Sequence, residues 1–270
     1  MQHLLNDVIE ITRAAGAAIM GYYHSSFEVA DKSPDNPVTD ADFAADTLLK
    51  ERLLALLPEA GWLSEETRDN PDRLNKKYVW VVDPLDGTKE FVMGIPEFSV
   101  AVALVEAGQP ILSVIYSPAT GELFQAAKGQ GTLYNGRAAV LSPRAALAGA
   151  AIDASRSEIK KGEFEPFTDL VQLKIVGSIA YKLARVSAGI CDATWSRGPK
   201  HEWDICAGSF LIEESGGRVV DLNNDPITYN KPFPKVNGII ADNGLLHNEL
   251  VATLAPYGAA RKEPGFVYRV

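Results

Sequence analysis

The chain has 270 residues, 46% hydrophobic and 23% charged, enough for one large domain or two modest ones whose core needs no disulfide or structural metal. Twenty-six Lys and Arg against 35 Asp and Glu leave a formal charge of −9. That balance argues against a surface that coats nucleic acid or binds anionic membranes, but it leaves open a small anionic substrate held through a cation.

Leu4, Leu5, Val8, Ile9, Ala15, Ala18, Ile19 and Tyr22 recur at helical spacing and predict a helix over about 3–22. A polar loop with Pro34 and Pro37 is expected next. Thr39 followed by Asp42 reads as a cap with an acid three residues on, opening a helix that runs to about Leu57. A short apolar piece, Gly61 to Ser64, leads into Glu65-Glu66, and 67–77 is polar. Strands are predicted at 78–82, 99–104, 111–116, 123–127 and 132–134, with Asn135-Gly136 as a turn.

From about residue 146 the texture changes. Short apolar runs at 150–154, 173–176, 192–195, 219–222 and 238–241 alternate with helical stretches at 163–170, 178–188, 202–215 and 245–254. The fold class expected is α/β (α+β), with a soft boundary between an N-terminal α+β half, 1–145, and a C-terminal α/β half, 146–270. A cleft between the halves is the natural place for a site.

Cys191 and Cys206 give no disulfide framework and fit reduced thiols in a cytoplasmic protein. His3, His24, His201 and His247 make no zinc cluster. The N-terminus lacks the basic and apolar regions of a signal peptide, and no run approaches 18 apolar residues. No transmembrane segment is therefore expected, while peripheral membrane association stays open.

The most informative stretch is Asp83-Pro84-Leu85-Asp86-Gly87-Thr88. A buried strand ends and presents two carboxylates three residues apart. They repel unless a cation lies between them or one takes a proton. Oxygen ligands suit Mg²⁺, Ca²⁺ or Mn²⁺. Local chemistry alone leaves a tight turn and a metal site equally open. Taken singly, Glu65 reads more simply as a loop residue, and Asp42 and Asp204 as helix-start acids.

These pieces together carry a resemblance. VTDAD, WLSEE, DPLDGT and HEWDICAG, in that order, resemble the lithium-sensitive, magnesium-dependent phosphatases of the inositol monophosphatase superfamily. The likeness runs from about residue 36 to 217. It implies a layered α-β-α-β-α sandwich like that of inositol monophosphatase and fructose-1,6-bisphosphatase. It also implies two or three Mg²⁺ ions, most of their ligands from the N-terminal half and Asp204 from the C-terminal half. Metal ligands would be Glu65, Asp83, the Leu85 carbonyl, Asp86 and Asp204. Asp42, Glu65 and Thr88 would orient or activate the attacking water. Gly87 and Thr88 would offer backbone N–H groups to the phosphate. A homodimer is a further option from the resemblance, with no interface marked in the residues.

Lys89-Glu90-Phe91 after DPLDGT looks like the 3′(2′),5′-bisphosphate nucleotidases of the CysQ type, where inositol monophosphatases read Thr-Asn-Phe. The resemblance therefore implies a small phosphorylated substrate. It would be adenosine 3′,5′-bisphosphate, a by-product of sulfate activation, cut to AMP and phosphate. Lys89, Arg156, Ser178, Lys182 and Arg197 are candidate substrate contacts, with Ser178 one helical turn before Lys182. Lys200 stands where many nucleotidases have Thr, and Ile205-Cys206 and the spacing of Gly177 to Lys182 also depart from that type. The alternative is an inositol- or sugar-phosphate monoesterase. A noncatalytic regulator on the same fold is disfavoured by the intact acid set, and a nucleic-acid-binding module by the acidic balance.

Overall fold

The computed structural model describes residues 1–24, 28–33 and 36–258, and of 31–33 and 36 only the backbone. The chain opens with α1 (Gln2–Tyr22). A hairpin, β1 (Val29–Ser33) and β2 (Asn36–Thr39), stands where a polar loop was expected; Pro34 lies outside the described residues. Then come α2 (Asp40–Leu56), β3 (Gly61–Ser64), β4 (Tyr78–Asp86) and the short α3 (Thr88–Val92). A meander follows: β5 (Ser99–Glu106), β6 (Gln109–Ser117), β7 (Glu122–Ala127), β8 (Thr132–Tyr134) and β9 (Arg137–Ala138). Asn135 and Gly136, both at positive φ, make the β8–β9 turn that their dipeptide predicts.

The second part contains β10 (Ala151–Ala154), α4 (Arg156–Lys160), β11 (Gln172–Ile175), α5 (Ile179–Ser187), β12 (Ala193–Ser196) and β13 (Lys200–His201). It ends with α6 (Glu202–Glu214), β14 (Arg218–Val220), β15 (Lys235–Val236), β16 (Ile239–Asp242) and α7 (His247–Leu254). The helix expected over 163–170 is a single 3-10 turn, Glu165–Phe167. Pro166 has no N–H to give a longer helix, and Phe164 and Phe167 instead pack on Trp195.

Two sheets result. One has seven strands in the order β3-β4-β5-β6-β7-β8-β9, with only β3 and β4 parallel; the other has five in the order β11-β10-β12-β16-β14. Side-chain alternation along the strands explains the layering. Trp80 and Val82 point into one core with Val8, Ile19, Leu49 and Leu53 of α1 and α2. Val79 and Val81 point into another, with Leu183 and Val186 of α5, Ile205 and Leu211 of α6, and Ile239 and Ala241 of the second sheet. The far face of that sheet, Ile152, Trp195 and Ile240, meets Leu250 and Leu254 of α7. The order is helix, sheet, helix, sheet, helix, the five-layer sandwich expected. Gly208 lets α5 and α6 close up, since a Cβ there would collide with Leu183. No helix of the described residues is long and apolar enough to cross a membrane.

Candidate active site

The site forms where β3 and β4 end. Their parallel register sets Ser64 beside Val82, so the next residues, Glu65 and Asp83, emerge together. On β4 the register against β5 slips: Asp83 pairs with Ala101, and Asp86 pairs with Ser99. Three steps on one strand thus match two on the other. Residues three apart normally face opposite sides of a sheet; the extra residue of this bulge returns Asp86 to the side of Asp83. Asp204 arrives from the first turn of α6, where its Oδ2 accepts the His201 N–H at 2.8 Å. One carboxylate oxygen from each of Glu65, Asp83 and Asp204 lies within 4.8 Å of the others.

Asp83 is buried, and Glu65, Asp86 and Asp204 are half-buried around it. Burial, then Glu65, Asp86 and Asp204, push the Asp83 carboxyl well above its ordinary range. Burial pushes Asp86 up to about 6, against hydrogen bonds from the Ser178 hydroxyl and the Ala180 N–H, both at 2.6 Å to Oδ2. Asp204 is raised by burial and by Glu65 and Asp86. Asp83 Oδ1 accepts the Leu85 N–H, but its buried Oδ2 has no hydrogen-bond partner among the described residues. An orphaned buried carboxylate oxygen amid three more acids fits a hard divalent cation, which would remove both the repulsion and the unmet acceptor.

Two elements brace this cluster. On α2, Asp42 and Asp46 share one face. Asp46 accepts the hydroxyls of Ser64 (2.5 Å) and Thr67 (2.7 Å), bracketing Glu65-Glu66 from both sides. Asp42 does two jobs. Its Oδ2 caps α2 by accepting the Thr39 N–H and hydroxyl at 2.7 Å, and its Oδ1 lies 3.0 Å from the Thr88 hydroxyl. That hydroxyl is also 3.0 Å from the Leu85 carbonyl oxygen. Gly87 makes the turn between Leu85 and Thr88 at φ +96°, where a Cβ would also meet the Glu97 carbonyl oxygen at 2.8 Å.

A cleft of about 420 Å³ opens over these groups. Glu65, Leu85, Asp86, Gly87, Thr88, Lys89 and Asp204 line it, and so do Ser178 and Lys182. Ser178 does not share a helix face with Lys182 as expected. It is the N-cap of α5, at φ +56°, and its hydroxyl is spent on Asp86 and on the Tyr181 N–H. Lys182 is buried, with its ammonium 2.6 Å from Glu158 Oε2.

Arg156 and Arg197, expected as anion contacts, do not line the cleft. Arg156 pairs with Glu97 at 2.6 Å and Glu90 at 3.4 Å. Arg197 donates to the carbonyls of Tyr257 and Gly258. Each arginine faces acceptors of its own chain that outcompete a distant ligand.

Glu158, Lys200, His201 and Trp203 also line the cleft and were not among the expected contacts. The rings of His201 and Trp203 stack at 4.2 Å. Ser155-x-x-Glu158 has the spacing of a capping box, which would have placed Glu158 at a helix start, though not beside Lys182. Asp46 was detectable as the residue one turn after Asp42.

The family model for the inositol monophosphatase family matches residues 1–259. The chain is 36% identical over 249 residues to a 3′(2′),5′-bisphosphate nucleotidase CysQ of Aggregatibacter actinomycetemcomitans, covering 87% of this chain and 90% of that one. It is 34% identical over 230 residues to an inositol-1-monophosphatase of Rhizobium meliloti, covering 81% and 85%. Among solved structures, the extragenic suppressor protein suhB of Bartonella henselae superposes with a TM-score of 0.83 at 29% identity, covering 93% and 98%. With the five-layer architecture and the ordered acid motifs, these matches establish that the chain belongs to the inositol monophosphatase family of phosphatases.

Proposed function

We propose that the protein is a Mg²⁺-dependent phosphatase that hydrolyses the 3′-phosphate of adenosine 3′,5′-bisphosphate to AMP and phosphate, by direct attack of water. The observation that carries the phosphatase chemistry is the convergence of Glu65, Asp83 and Asp204, with Asp83 Oδ2 buried and unpartnered. Glu65, Asp83, the Leu85 carbonyl, Asp86 and Asp204 would hold two or three ions. Bound Mg²⁺ would neutralise phosphoryl oxygens, lower the pKa of a water and stabilise the leaving alkoxide.

The chain's own residues supply orientation. The Thr88 hydroxyl has one proton and two acceptors within reach, Asp42 Oδ1 and the Leu85 carbonyl. With the proton given to Asp42, a lone pair of Thr88 is free to accept from the attacking water and fix its direction. Ser178 and the Ala180 N–H hold Asp86 in one rotamer. Among the groups that line the cleft, the Ser178 hydroxyl donates to Asp86, which is assigned here to metal binding, and caps α5 by accepting the Tyr181 N–H; its commitment to those two partners supports attack by water without a phosphoenzyme. A phosphoryl group trapped on the protein would overturn that step.

The nucleotide rests on Lys89-Glu90-Phe91, on the 36% identity to a bisphosphate nucleotidase, and on the lysines at the far wall of the cleft. The identity of 34% to an inositol-1-monophosphatase favours a second reading, an inositol- or sugar-phosphate monoesterase. Turnover of adenosine 3′,5′-bisphosphate and inositol 1-phosphate with Mg²⁺ separates the two. The nucleotidase reading requires the bisphosphate to be appreciably faster.

A further inference from the structure

The wall of the cleft away from the acid cluster carries an uneven charge balance. Lys182 and Lys200 both approach Glu158, on different oxygens. The contacts are unequal. Lys182 Nζ lies 2.6 Å from Oε2, a full hydrogen bond, whereas Lys200 Nζ lies 3.8 Å from Oε1, beyond hydrogen-bond length. Oε2 also accepts the Ser155 N–H at 2.8 Å, which fixes the carboxylate independently of either lysine. Lys182 is 1% exposed in its side chain, and a buried ammonium is costly without a close partner; Lys200 is 20% exposed and lines the cleft. Glu158 thus faces two ammonium groups with one charge, and geometry leaves Lys200 the less engaged of the two, its charge acting also on Asp204.

We propose that Lys200 binds a second anionic group of the substrate, a phosphate other than the one hydrolysed, and that Glu158 aims it by holding Lys182 in reserve behind it. This inference rests on the phosphatase reading of the same cleft. Lys200 is placed for the task by its backbone. It pairs with Val236 in a two-stranded ribbon and lies four residues before Asp204. The stacked His201 and Trp203 line the same cleft as Lys200 and Asp204, and the Lys200 charge acts on the Asp204 carboxyl, so a molecule in the cleft meets the ammonium and the acid cluster together. Burial and the charges of both lysines act on Glu158, and the lysines win, holding it down to about 2; Glu158 therefore stays anionic when a second anion arrives. A compact ammonium on a flexible stem suits a phosphate dianion, to which it offers up to three donors.

The test compares the wild-type protein with K200Q and K200R in Mg²⁺. The substrates are adenosine 3′,5′-bisphosphate and adenosine 3′-monophosphate, which lacks only the distal phosphate. The wild type is expected to prefer the bisphosphate in kcat/KM. K200Q should lose about tenfold of that preference, mainly through KM, and K200R should keep most of it. Calorimetry of adenosine 5′-monophosphate binding without Mg²⁺ gives an independent readout. Its affinity should fall by about the same factor in K200Q. Equal loss on both substrates, or an unchanged ratio and unchanged affinity, overturns the role of Lys200 while leaving the phosphatase intact. A wild type inactive on both substrates overturns the phosphatase reading itself. Thermal melting of K200Q against K200R shows that the comparison is made between folded proteins.

Discussion

The Thr88 hydroxyl stands 3.0 Å from Asp42 Oδ1, joining the start of α3 to the start of α2 across 46 residues of sequence. The pair ties the end of a buried strand to the first turn of a helix, so Asp42 orients the hydroxyl that stands beside the acids. T88V removes the donor without changing the volume much. Its kcat is expected to fall by about a hundredfold or more with KM little changed, as for loss of a group that positions a proton transfer. Steady-state kinetics at saturating Mg²⁺ checks this, and wild-type kcat would remove Thr88 from the reaction.

Asp86→Asn keeps an oxygen for the Ser178 hydroxyl and the Ala180 N–H while removing a charge. Turnover should fall at least about a hundredfold, since several kcal/mol of charge stabilisation go with the ion. Circular dichroism should show an intact fold. Near-normal activity would take Asp86 out of the metal site.

Like charges at the buried Asp83 and the half-buried Glu65, Asp86 and Asp204 oppose one another until a cation neutralises them. Millimolar Mg²⁺ is therefore expected to raise Tm by several degrees over protein in a chelator, since saturation at about a hundred times Kd contributes ~2.7 kcal/mol. D86N should show a smaller rise. Identical melting curves with Mg²⁺ and with chelator would refute the metal site.

Glu158 contributes to acid stability. Burial alone would raise its carboxyl, but Lys182 and Lys200 bring it from 4.5 to about 2. The folded value lies below the unfolded one, so the contribution is complete above about pH 4.5 and is lost as pH falls toward 2. The gap corresponds to about 3 kcal/mol. E158Q should flatten this part of the stability curve. It should also cost about 3–5 kcal/mol near neutrality, because Lys182 is left buried without its partner. Denaturant unfolding from pH 7 to 3 reads both effects, and parallel curves for E158Q and wild type would contradict the assignment.

Much of the chemistry was legible in the sequence because the acids sit in local patterns that also fix their backbone. Asp83 and Asp86 close a hydrophobic strand, Asp42 follows a capping Thr39, and Asp204 opens a helix. The hairpin at β1–β2 is not legible in the sequence, because its prolines signal loop more strongly than its short strands signal sheet. At 163–170 the spacing of two phenylalanines predicts a helix, but both rings pack on Trp195 and only the turn at 165–167 forms.

By itself the sequence determined most of the alternation of strands and helices, the candidate acids and the family likeness, since these depend on residue types at short spacings. Only the tertiary structure decided what each charge has left to give. Arg156 and Arg197 look as available as Lys200 in the sequence, yet the fold commits one to Glu97 and the other to the carbonyls of Tyr257 and Gly258. Lys182 and Lys200 lie 18 residues apart from each other and both meet Glu158, so their shared charge balance is set by long-range packing that no local pattern encodes. The same holds for the acids: a one-residue bulge and a parallel register, both products of pairing between distant strands, turn them toward one point.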